Sequence, residues 1–401
     1  MSQSLPPPTL VQDASGFRRM LEDLSAQREI AVDTEADSFY SYREKVCLIQ
    51  VTVEDRDYLV DPLAGFDIGG LGRVLADPER TKVFHDGEYD ILLFKRRYGF
   101  GFANLFDTRV AAAALGSPNP GLANVLRERY GIELDKSMQR SNWAQRPLTD
   151  KQVRYARLDT RFLLSLMREQ RRELESRGRL HFVEGECWRL ERIDPPDDSF
   201  DADEFVRLKG ARTLDPESRQ ALRELYIWRD AAASAADDPP FRVLLNEQLL
   251  EIAARRPKDH TELGRVPNVS SRVLARHGEG ILAALRRSRE LGPLRQWPQL
   301  PNREGTNGMD EAQLELHERL KNCRKDLAAR IGIDSAYLIN RHVLVRIARQ
   351  LPRSPAELEA IEGLLPWQAR DYGPALLEVV RRFEAELASG SLPIKRRPFR
   401  R

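Results

Sequence analysis

Residues 28–39 read REIAVDTEADSF, an apolar approach followed by two carboxylates, Asp33 and Glu35. A second run, VCLIQVTV at 46–53, is rich in β-branched residues, and RDYLVDPL follows at 56–63. Runs of this kind predict strands. Because the connections between them are short, we expect the three strands to pair as antiparallel neighbours.

Helices and strands alternate after the third strand. LGRVLADP (71–78) is helix-like, and TKVFHDG (81–87) reads as a strand that leads into the helical YDILLFKRRYG (89–99). A short strand, NLFDT (104–108), precedes the helical VAAAALG (110–116). This mixture predicts an α/β domain whose sheet has antiparallel and parallel parts.

The segment LTDKQVRYARLDTRFLLSLMREQRRELESRG (148–178) has the signals of a helix start. Thr149 is a good N-cap residue, and Gln152 completes a capping box. Leu148 and Val153 occupy the two positions of a hydrophobic staple. We therefore predict a long helix that begins directly after Thr149.

An internal repeat follows a domain boundary near residue 195, which is marked by the acidic, proline-bearing stretch ERIDPPDDSFDADE. LLNEQLLEIAARRP (244–257) matches LINRHVLVRIARQLP (338–352), and further pairs keep an offset of 94 or 95 residues. The stretch between the copies, GPLRQWPQLPNREGTNG, reads as a linker. We therefore predict two copies of one helical module.

Composition describes a globular protein of two or three domains, since 41% of the 401 residues are hydrophobic and 31% are charged. The 64 basic and 62 acidic residues nearly cancel, so net charge alone does not indicate a nucleic-acid partner. No membrane span and no secretion signal are expected. Cys47, Cys187 and Cys323 lie far apart without a C-x-x-C pair, which predicts a reducing, cytoplasmic location.

Three acidic features carry the candidate chemistry. Asp33 and Glu35 are two apart on a strand and project from one face, where a cation would relieve their repulsion. Asp90 opens a helix after a strand, near the sheet edge at which α/β proteins bind ligands. Tyr155 and Asp159 are four apart and share a helix face. Each feature has an ordinary alternative: solvated acids on an edge strand, an acid favoured by a helix N-terminus, and a chance pair on an exposed face.

Taken in order, the three features resemble the motifs of the DEDD exonucleases. Residues 29–165 are similar to the 3′–5′ exonuclease domain of the ribonuclease D family, in the subclass that carries a tyrosine. The similarity rests on AVDTEADSFYSYREKVCLIQV, KVFHDGEYDILLF, LFDTRVAAAALG, GLANVL and NWAQRPLTDKQVRYARLDT. The two repeats resemble HRDC modules. The resemblance implies an α/β ribonuclease H-like nuclease domain with a mixed sheet, followed by two all-α HRDC-type helical domains.

The resemblance also implies a metal centre. Two divalent metal ions, Mg²⁺ or Mn²⁺, would be bound by four carboxylates: Asp33, Glu35, Asp90 and Asp159. Asp90 is preferred to Asp86 because the family's second acidic position lies just before an ILLF-like apolar helix. Asp86 itself replaces a residue that is usually small and uncharged. Tyr155 matches the catalytic tyrosine, and since a free tyrosine has a pKa near 10, we expect it to orient the attacking water.

The activity implied is that of a metal-dependent 3′–5′ exoribonuclease that releases 5′-mononucleotides. Its partner would be RNA with a free 3′ end, such as transfer-RNA precursors or other small structured RNAs, with no membrane and no obligate protein partner. One alternative is a DNA 3′–5′ exonuclease of the same superfamily, since the motifs do not distinguish the sugars. Another is a non-catalytic RNA-binding adaptor, and a third is a structural protein built from the repeats.

The predicted domain organisation has seven segments. They are an N-terminal extension (1–28), the exonuclease domain (29–195), a linker (196–214), a first HRDC domain (215–290), a second linker (291–308), a second HRDC domain (309–387) and a basic tail (388–401).

Substrate contacts near the active site are expected from several further residues, each with an alternative. Phe39 and Tyr40 follow the first motif and would stack a terminal base or simply pack. His85 would contact phosphate or pack at the end of its strand. Trp143 and Arg146 precede the catalytic helix and would position it or touch the substrate backbone.

A basic cluster in the second helical module is a further candidate for phosphate binding. It comprises Arg319, Lys321, Arg324, Lys325 and Arg330. Lys321, Arg324 and Lys325 are the expected phosphate contacts, which would add affinity without sequence choice. A solvated helix face is the alternative, and the basic tail is open to the same two interpretations.

Overall fold

The computed structural model describes residues 6–298, 300 and 308–391. Its first half is built on one sheet of six strands, in the order β1-β4-β3-β2-β5-β6. The strands are β1 (Thr9–Val11), β2 (Glu29–Ala36), β3 (Val46–Val53), β4 (Arg56–Val60), β5 (Thr81–Phe84) and β6 (Leu105–Asp107). β2, β3 and β4 are antiparallel neighbours, whereas the β1–β4, β2–β5 and β5–β6 pairs are parallel. The predicted mixed sheet is confirmed.

Eight helices accompany the sheet in the described part of this domain. They are α1 (Ala14–Ser25), α2 (Gly69–Ala76), α3 (Glu88–Tyr98), α4 (Thr108–Ala114), α5 (Leu122–Tyr130), α6 (Asp150–Arg161), α7 (Leu163–Ser176) and α8 (Leu180–Arg192). β3 is buried along its whole length because helices and neighbouring strands cover both faces of the sheet. The sheet therefore forms the centre of the core.

The expected separate extension over residues 1–28 is corrected by the structure. β1 pairs with β4, with Leu10 opposite Leu59. Phe17 and Met20 of α1 are buried in the same core as the sheet. A strand of three residues is too short to show alternation, so its residue pattern carries no signal.

The catalytic helix begins as predicted but ends earlier. The Thr149 side chain accepts a hydrogen bond from the Gln152 backbone, and the Gln152 side chain caps Thr149 in return. The helical course breaks at Phe162, which separates α6 from α7. The break lets α6 pack on β3 and β4 while α7 packs against α4.

Two helical modules follow. The first helical module contains α9 (Pro216–Ala236), α10 (Pro240–Val243), α11 (Asn246–Arg255), α12 (His260–Gly264) and α13 (Ser271–Leu291). The second contains α14 (Glu311–Ile331), α15 (Arg341–Gln350), α16 (Pro355–Glu359) and α17 (Pro366–Ser389). Each helix of the second module begins 95 residues after its counterpart in the first module. The counterparts are α9 and α14, α11 and α15, α12 and α16, and α13 and α17. Arg229 binds the carbonyl of Leu244, and Arg324 binds that of Ile339 in the same way. The predicted repeat is confirmed.

The expected linker over 196–214 is partly a piece of the first helical module. Phe205 and Ala211, which lie on short 3-10 helices, are fully buried in that module's core. Regular spacing is absent from such short turns, which explains why composition alone suggested a linker. Part of the second expected linker and residues 392–401 of the basic tail lie outside the described residues.

Both modules contact the sheet domain. On one side, the Tyr42 hydroxyl donates to Asp230 of α9 at 2.8 Å, and Lys45 Nζ binds Asp237 at 2.9 Å. On the other side, the Trp367 ring lies 4.7 Å from the Phe182 ring of α8, measured between centroids. None of the helices in the described ranges is long and apolar enough to cross a membrane.

Candidate active site

The acidic side chains converge at one end of the central strand. β2 lies between β3 and β5 and carries Asp33 and Glu35 on one face. α6 packs against β2 and brings Asp159 to the same place. One oxygen from each of these three carboxylates lies within 4.8 Å of the other two. The sheet thereby gathers acids that are 126 residues apart in the chain.

Asp90 and Tyr155 complete the group that the sequence singled out. Asp90, at the start of α3, is 6% exposed and accepts a hydrogen bond from Thr34 Oγ1. Tyr155 lies one helical turn before Asp159 on α6, on the same side of the helix. All five side chains line one cavity of about 410 Å³. The structure thus places the five predicted chemical residues together.

Burial sets the protonation of these carboxyls. Loss of solvation, and then the nearby charges of Asp159 and Asp90, together raise the pKa of Glu35 to about 9. Burial also raises the pKa of Asp159 to about 8 and that of Asp90 to about 7. The pKa of Asp33 is raised by burial first and then by the other acids. Crowded acids of this kind ionise together only when a cation neutralises them.

The donor set fits divalent metal ions. Carboxylate oxygens are the hard ligands that Mg²⁺ and Mn²⁺ prefer, and the cavity leaves room for water. The acids have few competing partners: apart from Tyr155, the side-chain contact described at the cluster is Thr34 with Asp90. Asp33, Glu35 and Asp159 form the tightest set, with Asp90 beside them.

His85 lines the cavity but is held as a neutral ring. Its Nδ1 atom lies 2.9 Å from Thr108 Oγ1. Burial lowers the pKa of His85 to about 4, so it carries no charge at neutral pH. Its buried Nε2 atom has no hydrogen-bond partner among the described residues. Of the two expectations for His85, packing is seen directly, and contact with a phosphate stays a prediction.

Two cations in the cavity were missed in the sequence. Lys136 lies on a short 3-10 helix that Asp135 caps, and Arg109 lies on α4. The Arg109 guanidinium pairs with Asp86 at 2.6 Å. Lys136 lies in the segment between α5 and α6, which has no periodic pattern. Arg109 falls within LFDTRVAAAALG, but the resemblance of that segment gave it no role.

Asp86 has a backbone conformation that side chains rarely adopt. Its φ of 64° lies in the left-handed region, and its N–H donates to the Asp107 carboxylate. A residue without a bulky side chain meets least strain there. The unusual acid at this position is instead stabilised by its ion pair with Arg109.

Trp143 and Arg146 support the catalytic helix. Trp143 is 1% exposed and its ring lies 6.0 Å from that of Tyr155. Arg146 binds both carboxylate oxygens of Asp61 and the carbonyl of Cys47. The expectation that Trp143 touches substrate is corrected, because its side chain has almost no accessible surface. Trp143 packs beside Tyr155 of α6, whereas Arg146 attaches the segment before α6 to Asp61, so positioning of the helix stays a prediction.

Phe39 and Tyr40 lie on the loop after β2. Phe39 is 46% exposed, with the Arg140 guanidinium 5.9 Å from its ring. The Tyr40 hydroxyl donates to the Arg140 carbonyl, and the guanidinium of Arg242 lies 4.5 Å from the centre of its ring. Phe39 therefore presents a free aromatic face, whereas Tyr40 is packed against the first helical module.

The basic cluster of the second module is largely neutralised. Lys321 pairs with Glu318 at 3.0 Å. Arg324 is partly buried and donates to the Ile339 carbonyl. Lys325 remains exposed. The cluster offers fewer accessible cations than its composition suggests, so phosphate contacts there stay a prediction.

Known proteins share this organisation. Residues 8–175 match the 3′–5′ exonuclease family, and residues 218–285 and 313–380 each match the HRDC domain. A ribonuclease D of Gluconacetobacter diazotrophicus is 33% identical over 289 residues, which cover 71% of this chain and 73% of that protein. A ribonuclease D of Desulfotalea psychrophila is 32% identical over 330 residues, covering 80% and 85%. The crystal structure of Escherichia coli RNase D superposes with a TM-score of 0.68 at 24% identity, covering 94% of this chain and 99% of that one.

The fold and the acidic cavity define a class, the DEDD-type 3′–5′ exonucleases with a ribonuclease H-like sheet, which depend on divalent metal ions. The chain belongs to the ribonuclease D family and is a 3′–5′ exoribonuclease. The predicted family, fold class and enzyme class are thereby confirmed.

Proposed function

We propose that four carboxylates hold two Mg²⁺ or Mn²⁺ ions and that RNA is shortened from its 3′ end by one 5′-mononucleotide at a time. The carboxylates are Asp33, Glu35, Asp90 and Asp159. The observation that carries the proposal is their crowding: three oxygens within 4.8 Å, from acids whose pKa burial raises. Such a site is stable at neutral pH with cations present.

The four carboxylates would hold the ions, whose chemistry would be to activate water and to stabilise negative charge on the phosphate and the leaving 3′ oxygen. Tyr155 supplies orientation. Burial and the neighbouring acids raise its pKa, so the phenol stays protonated and does not act as a base. Tyr155 lines the cavity together with Asp159 and Gln139. It can therefore hold the attacking water in line with the scissile phosphate.

The rim of the cavity suits an anionic strand. Arg109 and Lys136 line the same cavity as the acids and can bind phosphates of the strand. His85 is neutral and can donate or accept a hydrogen bond there. Phe39 offers an exposed ring on which a base can stack.

We further propose that the natural substrates are transfer-RNA precursors or other small structured RNAs with a free 3′ end. Membership of the ribonuclease D family supports this choice. The enzyme would act in the cytoplasm without an obligate protein partner. All three cysteines are free thiols in the structure, which fits a reducing compartment.

The proposal is tested with matched RNA and DNA oligonucleotides, labelled at their 5′ ends and incubated with Mg²⁺ or Mn²⁺. We expect a ladder of RNA products that shortens from the 3′ end, together with free 5′-mononucleotides. Equal degradation of DNA would favour a DNA exonuclease. Binding of RNA without any cleavage would favour a non-catalytic adaptor, and internal fragments would contradict the exonuclease assignment.

A further inference from the structure

A basic cavity of about 350 Å³ opens in the first helical module, between α10 and α13. Three guanidinium groups line it, from Arg242, Arg272 and Arg276. His277 and a single carboxylate, Asp238, also contribute. Three cations therefore face one anion in a space large enough for a phosphate group.

The positive charges of the arginines in this cavity are balanced by few carboxylates. Arg276 lies 3.7 Å from Asp238, a loose pair in which the arginine side chain is 55% exposed. Within the part of the chain that the structure describes, no carboxylate pairs with Arg272 or Arg242. Several arginines lining one cavity with little carboxylate compensation are typical of phosphate recognition, for which the planar guanidinium donors are suited.

The second module shows how the equivalent surface can be used for another purpose. At the 95-residue offset, Arg272 corresponds to Trp367 and Arg242 to Tyr337. Trp367 packs on Phe182 of the nuclease domain, and Tyr337 lies beside the rim of the active site. The same surface is therefore aromatic and covered in the second module, but basic and open in the first. The open copy is free to bind a ligand that is not part of this chain.

The cavity also has a fixed position relative to the catalytic acids. Tyr40, which packs beneath Arg242, follows Glu35 by five residues, so their Cα atoms are at most roughly 18 Å apart. Buried Asp37 closes this loop by accepting from the Lys45 N–H at 2.6 Å. The Lys45 ammonium and the Tyr42 hydroxyl then tie the loop to α9. The loop that connects the active site to the edge of the basic cavity is therefore held in place by these hydrogen bonds.

We propose that this cavity binds the phosphodiester backbone of the RNA strand upstream of the 3′ nucleotide that occupies the active site. The inference rests on the proposed exoribonuclease function and adds a second anchor to it. A strand held at both places is kept in register as each nucleotide is removed. Guanidinium contacts to phosphate carry no base preference, which suits an enzyme that must shorten any sequence.

The test measures RNA binding by the full chain in EDTA, which prevents hydrolysis. Fluorescent single strands of about 4 and about 12 nucleotides, the range that single-strand sites cover, are titrated at several salt concentrations. The double variant Arg272→Ala/Arg276→Ala should lower affinity for the longer RNA about tenfold more than for the shorter one. Its salt dependence should weaken by about 1.4 in log–log slope, or about 0.7 for each lost phosphate contact.

A matched control is Arg286→Ala, which removes an exposed arginine of the same helix that does not line the cavity. It should leave both the length dependence and the salt slope as they are. The double lysine variant, Arg272→Lys/Arg276→Lys, should restore most of the slope because the charge returns. A thermal melt of each variant shows that it is folded.

The inference is overturned if the double alanine variant is folded and binds both RNAs with the same affinity and slope as the unmodified chain. That outcome would assign the cavity to some other partner, such as an acidic protein. It would leave the proposed function untouched, provided that the unmodified chain still degrades RNA with Mg²⁺. If no RNA is degraded by any form of the chain, the proposed function itself fails.

Discussion

The guanidinium of Arg157 binds the carboxylate of Asp57, so a buried ion pair fastens the catalytic helix α6 to strand β4. Arg157 is 8% and Asp57 4% exposed. The Thr52 hydroxyl donates to Asp57 and also lies 2.7 Å from the Thr160 hydroxyl. Tyr155 and Asp159 occupy the same helix, and their positions over the cavity depend on this attachment.

Removing one partner of the pair should therefore be costly. We expect Asp57→Ala to lower the free energy of unfolding by about 3–5 kcal/mol, because it leaves a buried guanidinium without its anion. Chemical denaturation of the full chain measures the change. The control is Asp55→Ala in the exposed turn of the same hairpin, where we expect a change within about 0.5 kcal/mol. Equal effects of the two substitutions would show that the ion pair does not hold the helix.

Tyr155→Phe should reduce turnover about 10²-fold, the size of losing one positioned hydrogen bond in a reaction centre. Its effect on metal affinity should be small, because the carboxylates are retained. Single-turnover cleavage of a labelled RNA and a parallel Mn²⁺ titration separate the two effects. Tyr98→Phe, at the far end of α3, is the matched control for loss of a phenol. An unchanged rate in Tyr155→Phe would remove this residue from the mechanism.

The metal-free protein should lose stability as the pH rises. Burial raises the pKa of Asp90 to about 7, of Asp159 to about 8 and of Glu35 to about 9. An acid whose pKa is higher in the folded state than in the unfolded state stabilises the fold while it is protonated. This stabilisation is complete below the unfolded pKa, near 4, and is lost as the pH rises through the folded pKa. The melting temperature in EDTA should therefore fall between about pH 5 and pH 9.

Two comparisons separate this effect from general alkaline destabilisation. Glu35→Gln removes a titrating group, so its melting temperature should decline less steeply than that of the unmodified chain. Mg²⁺ should raise the melting temperature of the unmodified chain more at about pH 8 than at about pH 5, because the acids bind metal only when ionised. If the melting temperatures of the two proteins decline equally with pH, and Mg²⁺ raises the melting temperature no more at high pH than at low pH, the predicted link between ionisation and stability is wrong.

The sequence singled out acids that the structure brings together because most of them sit in strongly patterned elements. Asp33 and Glu35 follow an apolar strand, and Tyr155 and Asp159 lie on a helix with a clear capping box at Thr149. The convergence of these elements came from the family resemblance and not from the patterns themselves. Periodicity describes one element at a time, whereas the meeting of β2 and α6 is a property of the whole sheet.

Several other features of the structure could not be predicted from the sequence, for physical reasons. Arg109 and Lys136 line the cavity because of tertiary packing, which neither residue's local sequence predicts. β1 is too short to show alternation, and Phe205 lies in a turn that resembles a linker in composition. The basic cavity around Arg272 was also missed, since the fold is needed to bring Arg242 beside Arg272 and Arg276. The basic cluster around Lys321 is contiguous enough to be seen in the sequence, although Lys321 itself pairs with Glu318.

The contact between the second module and the nuclease domain depends on a glycine. A Cβ atom at Gly185 of α8 would lie 2.3 Å from Nε1 of Trp367, closer than real atoms approach. We expect Gly185→Ala to destabilise the full chain by about 1–3 kcal/mol through overpacking, despite the better helix propensity of alanine. Thermal unfolding measures the effect.

Gly264→Ala is the matched control, because an added Cβ there meets only Leu274 at an ordinary 3.5 Å. It should be neutral or slightly stabilising. If Gly185→Ala behaves in the same way, the Trp367 contact is loose and the second module is not firmly docked.

The most direct measurement of the central claim is a Mn²⁺ titration of the full chain by electron paramagnetic resonance, combined with RNA hydrolysis. We predict two ions per chain, as a two-metal site requires. Asp33→Asn should lose at least one ion and all hydrolysis while RNA binding persists. Asp86→Asn, which alters a nearby acid outside the cluster, should keep both ions. Undiminished hydrolysis and metal binding in Asp33→Asn would contradict the account.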